Sequence, residues 1–303
     1  MIDVDPQRLT AIAHGIRRRV LEHTLKNNGG YMSQACSAAE LLAACYGGAL
    51  ALGDVDEPYA PPPFTAVPRP GQAPRTGAVV HGAPSPDGDR LIVSPAHYAL
   101  VVYAALIEVG RLSPDALDQF NADGSTVEMI GAEHSPGFET TTGSLSQALS
   151  QAGGIALGRR LKGETGRTWV FMSDGELQEG QTWEAFAALA FHRLDTVRVV
   201  VDVNAAQCDG PMDRVMTIEP VAERLRAFGA SVDAVDGHDL PALLAAMRRE
   251  TGKPHVVLAY TDPVRGLPLL EERRPVLHYL RFTSDAERQA YADAYTELAG
   301  RTS

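Results

Sequence analysis

Three cysteines in 303 residues, Cys36, Cys45 and Cys208, show neither paired nor metal-ligand spacing. That excludes a disulfide-stapled scaffold and a thiolate zinc site, and it suits a reducing cytoplasm. No apolar run approaches the roughly 20 residues that cross a bilayer. The first ten residues, MIDVDPQRLT, carry acids where a secretory leader has basic and then apolar residues, so neither membrane insertion nor export is expected. Positive charge is also short, with 27 Lys and Arg against 38 Asp and Glu for a net charge of −11. A chain of that sign attracts neither nucleic acid nor anionic membrane. No internal repeat is found. What remains is 45% hydrophobic and 21% charged, long enough to bury a sizeable core.

Pro6 to Leu25 reads as an amphipathic helix, with Leu9, Ile12, Ala13, Ile16, Val20 and Leu21 near one face and Arg17 to Arg19 on a solvated one. Asn27 to Gly30 break it, and Ser37 is expected to cap the next helix, with Glu40 at its third position and Leu41, Leu42 and Cys45 inward. Pro58 to Pro86 holds nine prolines and reads as a long loop, either an ordered cover or a disordered insertion. Asp89 to Val93 then leads toward a helix over Tyr98 to Val109. A helix follows over Leu145 to Leu161, in which Gly153, Gly154 and Gly158 give a flat face for close packing. Beyond residue 220 come a helix at Val221 to Phe228, a strand at Ser231 to Val235 and a turn with His238 satisfied locally. A helix at Leu240 to Arg249, a strand at Pro254 to Tyr260 and a final helix at Asp285 to Ala299 complete the chain.

The stretch from Thr168 to Gly210 carries the chemistry. Thr168 to Met172 and Val197 to Val203 read as buried strands, and Ala-rich Thr182 to His192 between them reads as a helix. A strand-helix-strand unit makes the strands parallel. Asp174 and Asn204 then stand at the carboxyl ends of two parallel strands, where open α/β sheets bind ligands. An Asp carboxylate, an Asn amide oxygen and a backbone carbonyl are the hard oxygen donors that Mg²⁺ shares with phosphate oxygens. Gly175 lets the backbone approach a phosphate, and the following helix adds N–H groups and the positive end of its dipole.

Ser173-Asp174-Gly175-Glu176-Leu177-Gln178-Glu179-Gly180, followed by Asp202-Val203-Asn204-Ala205-Ala206, resembles the thiamine diphosphate signature of transketolases, in the form seen in the N-terminal subunits of two-chain enzymes. The resemblance implies an α/β fold of three layers, a doubly wound, mostly parallel sheet with helices on both faces. It spans a cofactor domain over 1–260, with the Pro-rich insertion at 58–86, and a C-terminal extension over 261–303. It also implies that Asp174, Asn204 and the Ala206 carbonyl hold Mg²⁺, and that Gly175 and Glu176 lie against the diphosphate of thiamine diphosphate. Glu179 would join a polar network linking paired active sites. Ser173 stands where the signature has Gly. Ser94 to Ala99 resembles the family's S-K-G-H-A segment, which makes His97 a diphosphate contact. Residues 134–147 resemble T-P-G-V-E-x-T-T-G-S-L-G-Q-G, which brings the backbone of Gly143, Ser144 and Leu145 to the aminopyrimidine. His278 aligns loosely with a W-H-G histidine and reads equally as a surface residue.

Two donor-side histidines of the family are missing. Tyr31 and Met129 stand in their places, and Tyr31 reads equally as a packing residue or a substrate contact. The aminopyrimidine-activating glutamate of the family belongs to a second, pyrimidine-binding domain. The expectation is therefore one subunit of a two-chain, α2β2 transferase, active only with a C-terminal transketolase-like partner and moving a two-carbon ketol unit from a ketose phosphate to an aldehyde. A hydroxyl left without its partner costs about 1–3 kcal/mol, so the lost histidines also fit an α-keto acid donor such as pyruvate. A non-catalytic scaffold is the third expectation, disfavoured by the retention of Asp174, Asn204, His97 and Gly143 to Leu145 together.

Overall fold

The computed structural model describes residues 4–64, 71 and 76–300. Five strands form one parallel sheet in the order β1-β2-β3-β7-β6, with β1 Arg90–Val93, β2 Thr168–Ser173, β3 Val197–Val203, β6 Ser231–Asp236 and β7 His255–Tyr260. β4 Ala206–Gln207 and β5 Gly210–Pro211 make a small antiparallel ladder beyond β3. The helices are α1 Pro6–Asn27, α2 Met32–Ala44, α3 Ala99–Glu108, α4 Gln147–Leu161, α5 Gly180–Phe191, α6 Met212–Val215, α7 Val221–Ala227, α8 Leu240–Arg248 and α9 Asp285–Gly300.

Both faces of the sheet are covered, and the two-residue alternation of the strands divides the core accordingly. Trp169 and Phe171 of β2 pack with Leu41, Val102, Leu243 and Tyr291 from α2, α3, α8 and α9. Val170 and Met172, one residue out of phase, pack with Leu149, Phe186 and Leu225 from α4, α5 and α7. This is the three-layer, doubly wound α/β arrangement that the family resemblance implies. The segment after 260 adds Leu267, Leu277, Leu280, Phe282 and Leu298 to the first of these clusters. Among the described residues no helix is long and apolar enough to cross a membrane.

Four local expectations are corrected. Arg17 is not on a solvated face: its guanidinium is buried and donates to Glu40 at 2.8 and 2.5 Å and to the Cys36 carbonyl at 2.8 Å. α1 is covered on two sides, by α2 through this pair and by α3, where Arg18 and Arg19 meet Glu108. Ser37 does not cap α2, which begins five residues earlier at Met32; it is buried inside the helix and donates to Asp202 at 2.5 Å. His238 is satisfied by distant groups, facing Glu40 across 3.0 Å and accepting the Asp262 N–H at 2.8 Å. Of the α4 glycines only Gly153 packs closely, since its Cβ would stand 3.0 Å from Leu189 while Gly154 and Gly158 face open space.

The Pro-rich stretch is described only at its ends, and residues 65–70 and 72–75 lie outside the described residues. Phe64 stacks on His134 with centroids 4.8 Å apart. Gly77–His81 forms a 3₁₀ turn whose His81 faces Glu139 at 3.1 Å.

Candidate active site

β2 and β3 end side by side, Ser173 pairing with Asp202, so the residues that follow them meet. Asp174 is 2% exposed and its Oδ2 accepts the Ala205 N–H at 2.7 Å. Burial first, and the neighbouring Asp202 second, push its carboxyl up to about 7. Asn204 turns its amide nitrogen inward, donating to the Tyr98 hydroxyl at 3.1 Å and to Asp202 at 3.2 Å. Its Oδ1 accepts the Ala206 N–H at 3.0 Å. Ala205 holds φ at 56°, a left-handed conformation that a Cβ makes costly by about 1 kcal/mol or more. It is clamped there by Asp174 on its N–H and by the Met212 N–H on its carbonyl at 2.9 Å.

These residues line a cavity of about 330 Å³ shared by Asp174, Gly175, Asn204, Ala206, His97 and His278. Leu145, Gln178, Glu179, Gln207 and Cys208 complete much of its wall, and among the described residues no Lys or Arg lines it. A Cβ on Gly175 would meet only Gln207 Nε2 at 3.6 Å. Ser173 is extended at φ −98°, so its Cβ is accommodated where the family signature has glycine.

His97 follows β1 on a short 3₁₀ turn. Burial, with His278 beside it, lowers its imidazole to about 3, and burial lowers His278 too; both rings are neutral at pH 7. Their centroids are 5.0 Å apart. His278 is no surface residue: Gly30 and Leu280 exchange backbone hydrogen bonds at 3.0 and 2.9 Å, drawing the segment to α2, where Gln34 Nε2 donates to the His278 carbonyl at 3.1 Å. Tyr31 stands against His278 and Tyr279, with centroids at 5.7 and 5.0 Å, and its hydroxyl reaches the Met129 sulfur at 3.1 Å.

Gly143 takes φ +105°, a conformation that favours glycine, and Ser146 takes φ 68°. Of Gly143, Ser144 and Leu145, Leu145 lines the cavity. Glu179 is exposed at the N-cap of α5. Glu176 does not line the cavity. Its side chain is 0% exposed and turns away from the cavity, because the 3₁₀ turn Asp174–Gln178 folds it back on Ser173, whose N–H donates to its Oε2 at 2.8 Å.

One residue with a structural claim on the site went unread. Asp202 is 0% exposed and accepts from Ser37 at 2.5 Å, Tyr98 at 2.6 Å, Asn204 at 3.2 Å and Thr261 at 2.5 Å. Burial raises its carboxyl and these hydroxyls and the amide oppose the shift. An acid inside the β-branched run Val197–Val203 is the signal that points to it.

Comparison with known proteins gives one consistent result. The family described as transketolase, thiamine diphosphate binding domain, matches residues 82–274. The chain is 34% identical over 288 residues to a transketolase family protein, y4mO, of Sinorhizobium fredii, covering 93% of this chain and 92% of the relative. It is 29% identical over 291 residues to the 6-deoxy-6-sulfo-D-fructose transketolase subunit SqwG of Clostridium sp., covering 95% and 96%. The solved transketolase from Campylobacter jejuni superposes with a TM-score of 0.69 at 19% identity, over 98% of this chain and 48% of that one. The chain thus spans about half the length of that solved transketolase.

Proposed function

The chain belongs to the transketolase family through its thiamine diphosphate-binding domain, and from that premise we propose that it is the cofactor-holding subunit of a two-chain transferase. It moves a two-carbon ketol unit from a ketose phosphate to an aldehyde. The observation that carries this reading is the meeting of Asp174, Asn204, Ala206 and His97 around one cavity at the ends of parallel strands.

The donor set fits Mg²⁺. Asp174 and Asp202 are buried together and, among the described residues, no Lys or Arg stands in the cavity wall, so a divalent cation would relieve an unneutralised charge. Among the described residues no cluster of three or more His, Cys, Asp or Glu suits a metal; one carboxylate with amide and carbonyl oxygens is the sparse protein share that Mg²⁺ takes when phosphate oxygens supply the rest. Asp174, Asn204 and Ala206 would be its ligands. Gly175, where nothing of the protein occupies the space a Cβ would fill, would pass the diphosphate, and Gly143, Ser144 and Leu145 would face the ring. Bound thiamine diphosphate supplies the electron sink for cleaving a carbon–carbon bond beside a carbonyl. His97 and His278, held neutral, each offer one donor and one acceptor to diphosphate or substrate hydroxyls. Glu179, exposed at α5, is free to join a network reaching another subunit. The partner would carry the pyrimidine-binding domain and the activating glutamate, in an α2β2 assembly; the Clostridium relative, matched over 96% of its length, is itself named a subunit.

A second reading has its own observation. Tyr31 and Met129 contact one another, Tyr31 against His278, so the positions of the family's two donor-side histidines hold an uncharged, weakly hydrogen-bonding pair, which favours an α-keto acid donor such as pyruvate.

The test is a donor assay on this chain with its partner, thiamine diphosphate and Mg²⁺. Triose phosphate released from xylulose 5-phosphate supports the ketol reading, and carbon dioxide from pyruvate supports the second. Calorimetry on the Asp174→Ala variant should show no Mg²⁺-dependent cofactor binding; unaltered binding, or turnover by the isolated chain, would overturn the assignment.

A further inference from the structure

Glu176 lies in the motif that points to the ligand, yet its carboxylate gathers donors from three segments far apart in the chain. Oε1 accepts the Ser94 hydroxyl and the Ser146 N–H, the latter at 2.8 Å. Oε2 accepts the Ser173 N–H at 2.8 Å and its hydroxyl at 3.2 Å. The Glu176 carbonyl adds the hydroxyls of Ser146 at 2.7 Å and Thr182 at 2.6 Å. Each anchor adjoins the cavity wall: Ser94 lies three residues before His97, Ser146 follows Leu145, and Ser173 precedes Asp174. Ser146 is held in the left-handed region at φ 68°, and both its N–H and its hydroxyl go to Glu176. A non-glycine residue keeps such a conformation only where its surroundings over-determine it.

We infer that Glu176 is a positioning residue, one buried carboxylate that fixes the segments carrying His97, Leu145 and Asp174 relative to one another. Its oxygens are engaged by the protein, so a bound ligand feels it through those three neighbours. The inference rests on the reading above that this cavity takes thiamine diphosphate with Mg²⁺. It differs from a packing role in one chemical respect. Each oxygen faces a backbone N–H, which cannot reverse its polarity as a hydroxyl can. An amide at 176 therefore sets its NH₂ against either Ser146 or Ser173 and opens one arm of the clamp at nearly constant volume.

The experiment compares the full chain with Glu176→Gln and with Ser94→Ala, first without ligand by amide hydrogen exchange. In Glu176→Gln the amide of Ser146 or that of Ser173, whichever faces the new NH₂, should exchange about 10-fold faster or more, the scale of a lost hydrogen bond to a charged group, with those of α1 and β3 unchanged. Ser94→Ala removes one donor, so the amides of the 94–98 turn should quicken about 3-fold or more. Half-saturating thiamine diphosphate at fixed Mg²⁺ should rise with both variants. A structural role alone would speed exchange throughout the sheet and lower the melting temperature, leaving half-saturation of the folded fraction unchanged; that pattern overturns the clamp, as does wild-type exchange in both variants. If Glu176→Gln does not fold, Ser94→Ala decides by itself. Failure of the wild-type chain to bind thiamine diphosphate even with its partner present counts against the proposed function, while the exchange pattern still decides the clamp.

Discussion

The Tyr31 hydroxyl donates to the sulfur of Met129 at 3.1 Å, so the two positions that depart from the family's donor-side histidines are in contact. A thioether is a weak acceptor, and Tyr31 stands against His278, which lines the cavity, without lining it itself; on the proposed function the pair would have little to offer a sugar hydroxyl. Replacing both, Tyr31→His with Met129→His, should raise kcat/KM for xylulose 5-phosphate relative to pyruvate by about 10-fold or more, the scale of a buried hydroxyl regaining its partner. Contacting residues are not additive, so the double variant should depart from the product of the singles. The partner-reconstituted assay of triose phosphate against carbon dioxide reads both; equal ratios for all four proteins would remove this pair from donor selection.

Asp202 makes a second prediction, because it orients a proposed metal ligand without facing the cavity. Its bond from Asn204 Nδ2, at 3.2 Å, keeps the amide oxygen on the side of Asp174 and Ala206. Asp202→Ala leaves Ser37, Tyr98, Thr261 and Asn204 short of an acceptor and should weaken Mg²⁺ binding about 10- to 100-fold, the usual range for a lost outer-sphere partner. Isothermal titration of Mg²⁺ into chain plus thiamine diphosphate measures it, and wild-type affinity would show that Asn204 holds its orientation unaided.

Sheet and motif were legible because both are local: Val197 to Val203 is a run of β-branched residues, and Asp174 and Asn204 follow their strands directly. The buried partners of Ser37, Arg17 and Glu176 were not legible for a common reason. Each has a polar side chain whose local pattern has an ordinary meaning, a cap, a solvated face or a ligand contact, and each is claimed by a partner elsewhere. Ser37 meets Asp202 across 165 positions, Arg17 meets Glu40 across 23, and Glu176 meets Ser94 across 82. Periodicity records which residues are apolar; it does not record which buried polar groups find one another. Asp202 could have been caught, since an acid within an apolar strand requires several donors.

Gly77 shows how the loop ahead of α4 is held. A Cβ there would stand 1.7 Å from the Ser135 carbonyl oxygen and 2.9 Å from that of Phe138. Both are backbone atoms, so no side-chain rotation relieves the clash. Gly77→Ala should therefore destabilise the chain by about 2 kcal/mol or more, whereas Gly154→Ala, with nothing within 4 Å, should stabilise α4 by about 0.5–1 kcal/mol. Urea unfolding of the two variants tests the contrast, and equal midpoints would mean that the 134–138 turn yields to Gly77.

His97 contributes one identifiable share of the chain's response to acid. Burial, then the neighbouring His278, lowers its imidazole to about 3, below the value of about 6.5 of an unfolded histidine. Protonation thus favours the unfolded chain: the stability tied to neutral His97 is fully present above about pH 6.5 and is lost as pH falls toward 3. At pH 5 the loss from this residue should reach about 2 kcal/mol, and His23, lowered by burial to about 4, adds a comparable amount. Urea unfolding at pH 7.5, 6 and 5 should show His97→Gln losing less stability with acid than the wild-type chain, by about one proton's worth of slope, whatever the opposite contribution of Asp174, whose raised carboxyl gains stability as pH falls through about 7. Parallel curves for the two proteins would mean that His97 titrates normally and reaches solvent. The distinction bears on chemistry: a ring that stays neutral throughout this range can accept a hydrogen bond from a substrate hydroxyl, while an imidazolium at the same position could only donate.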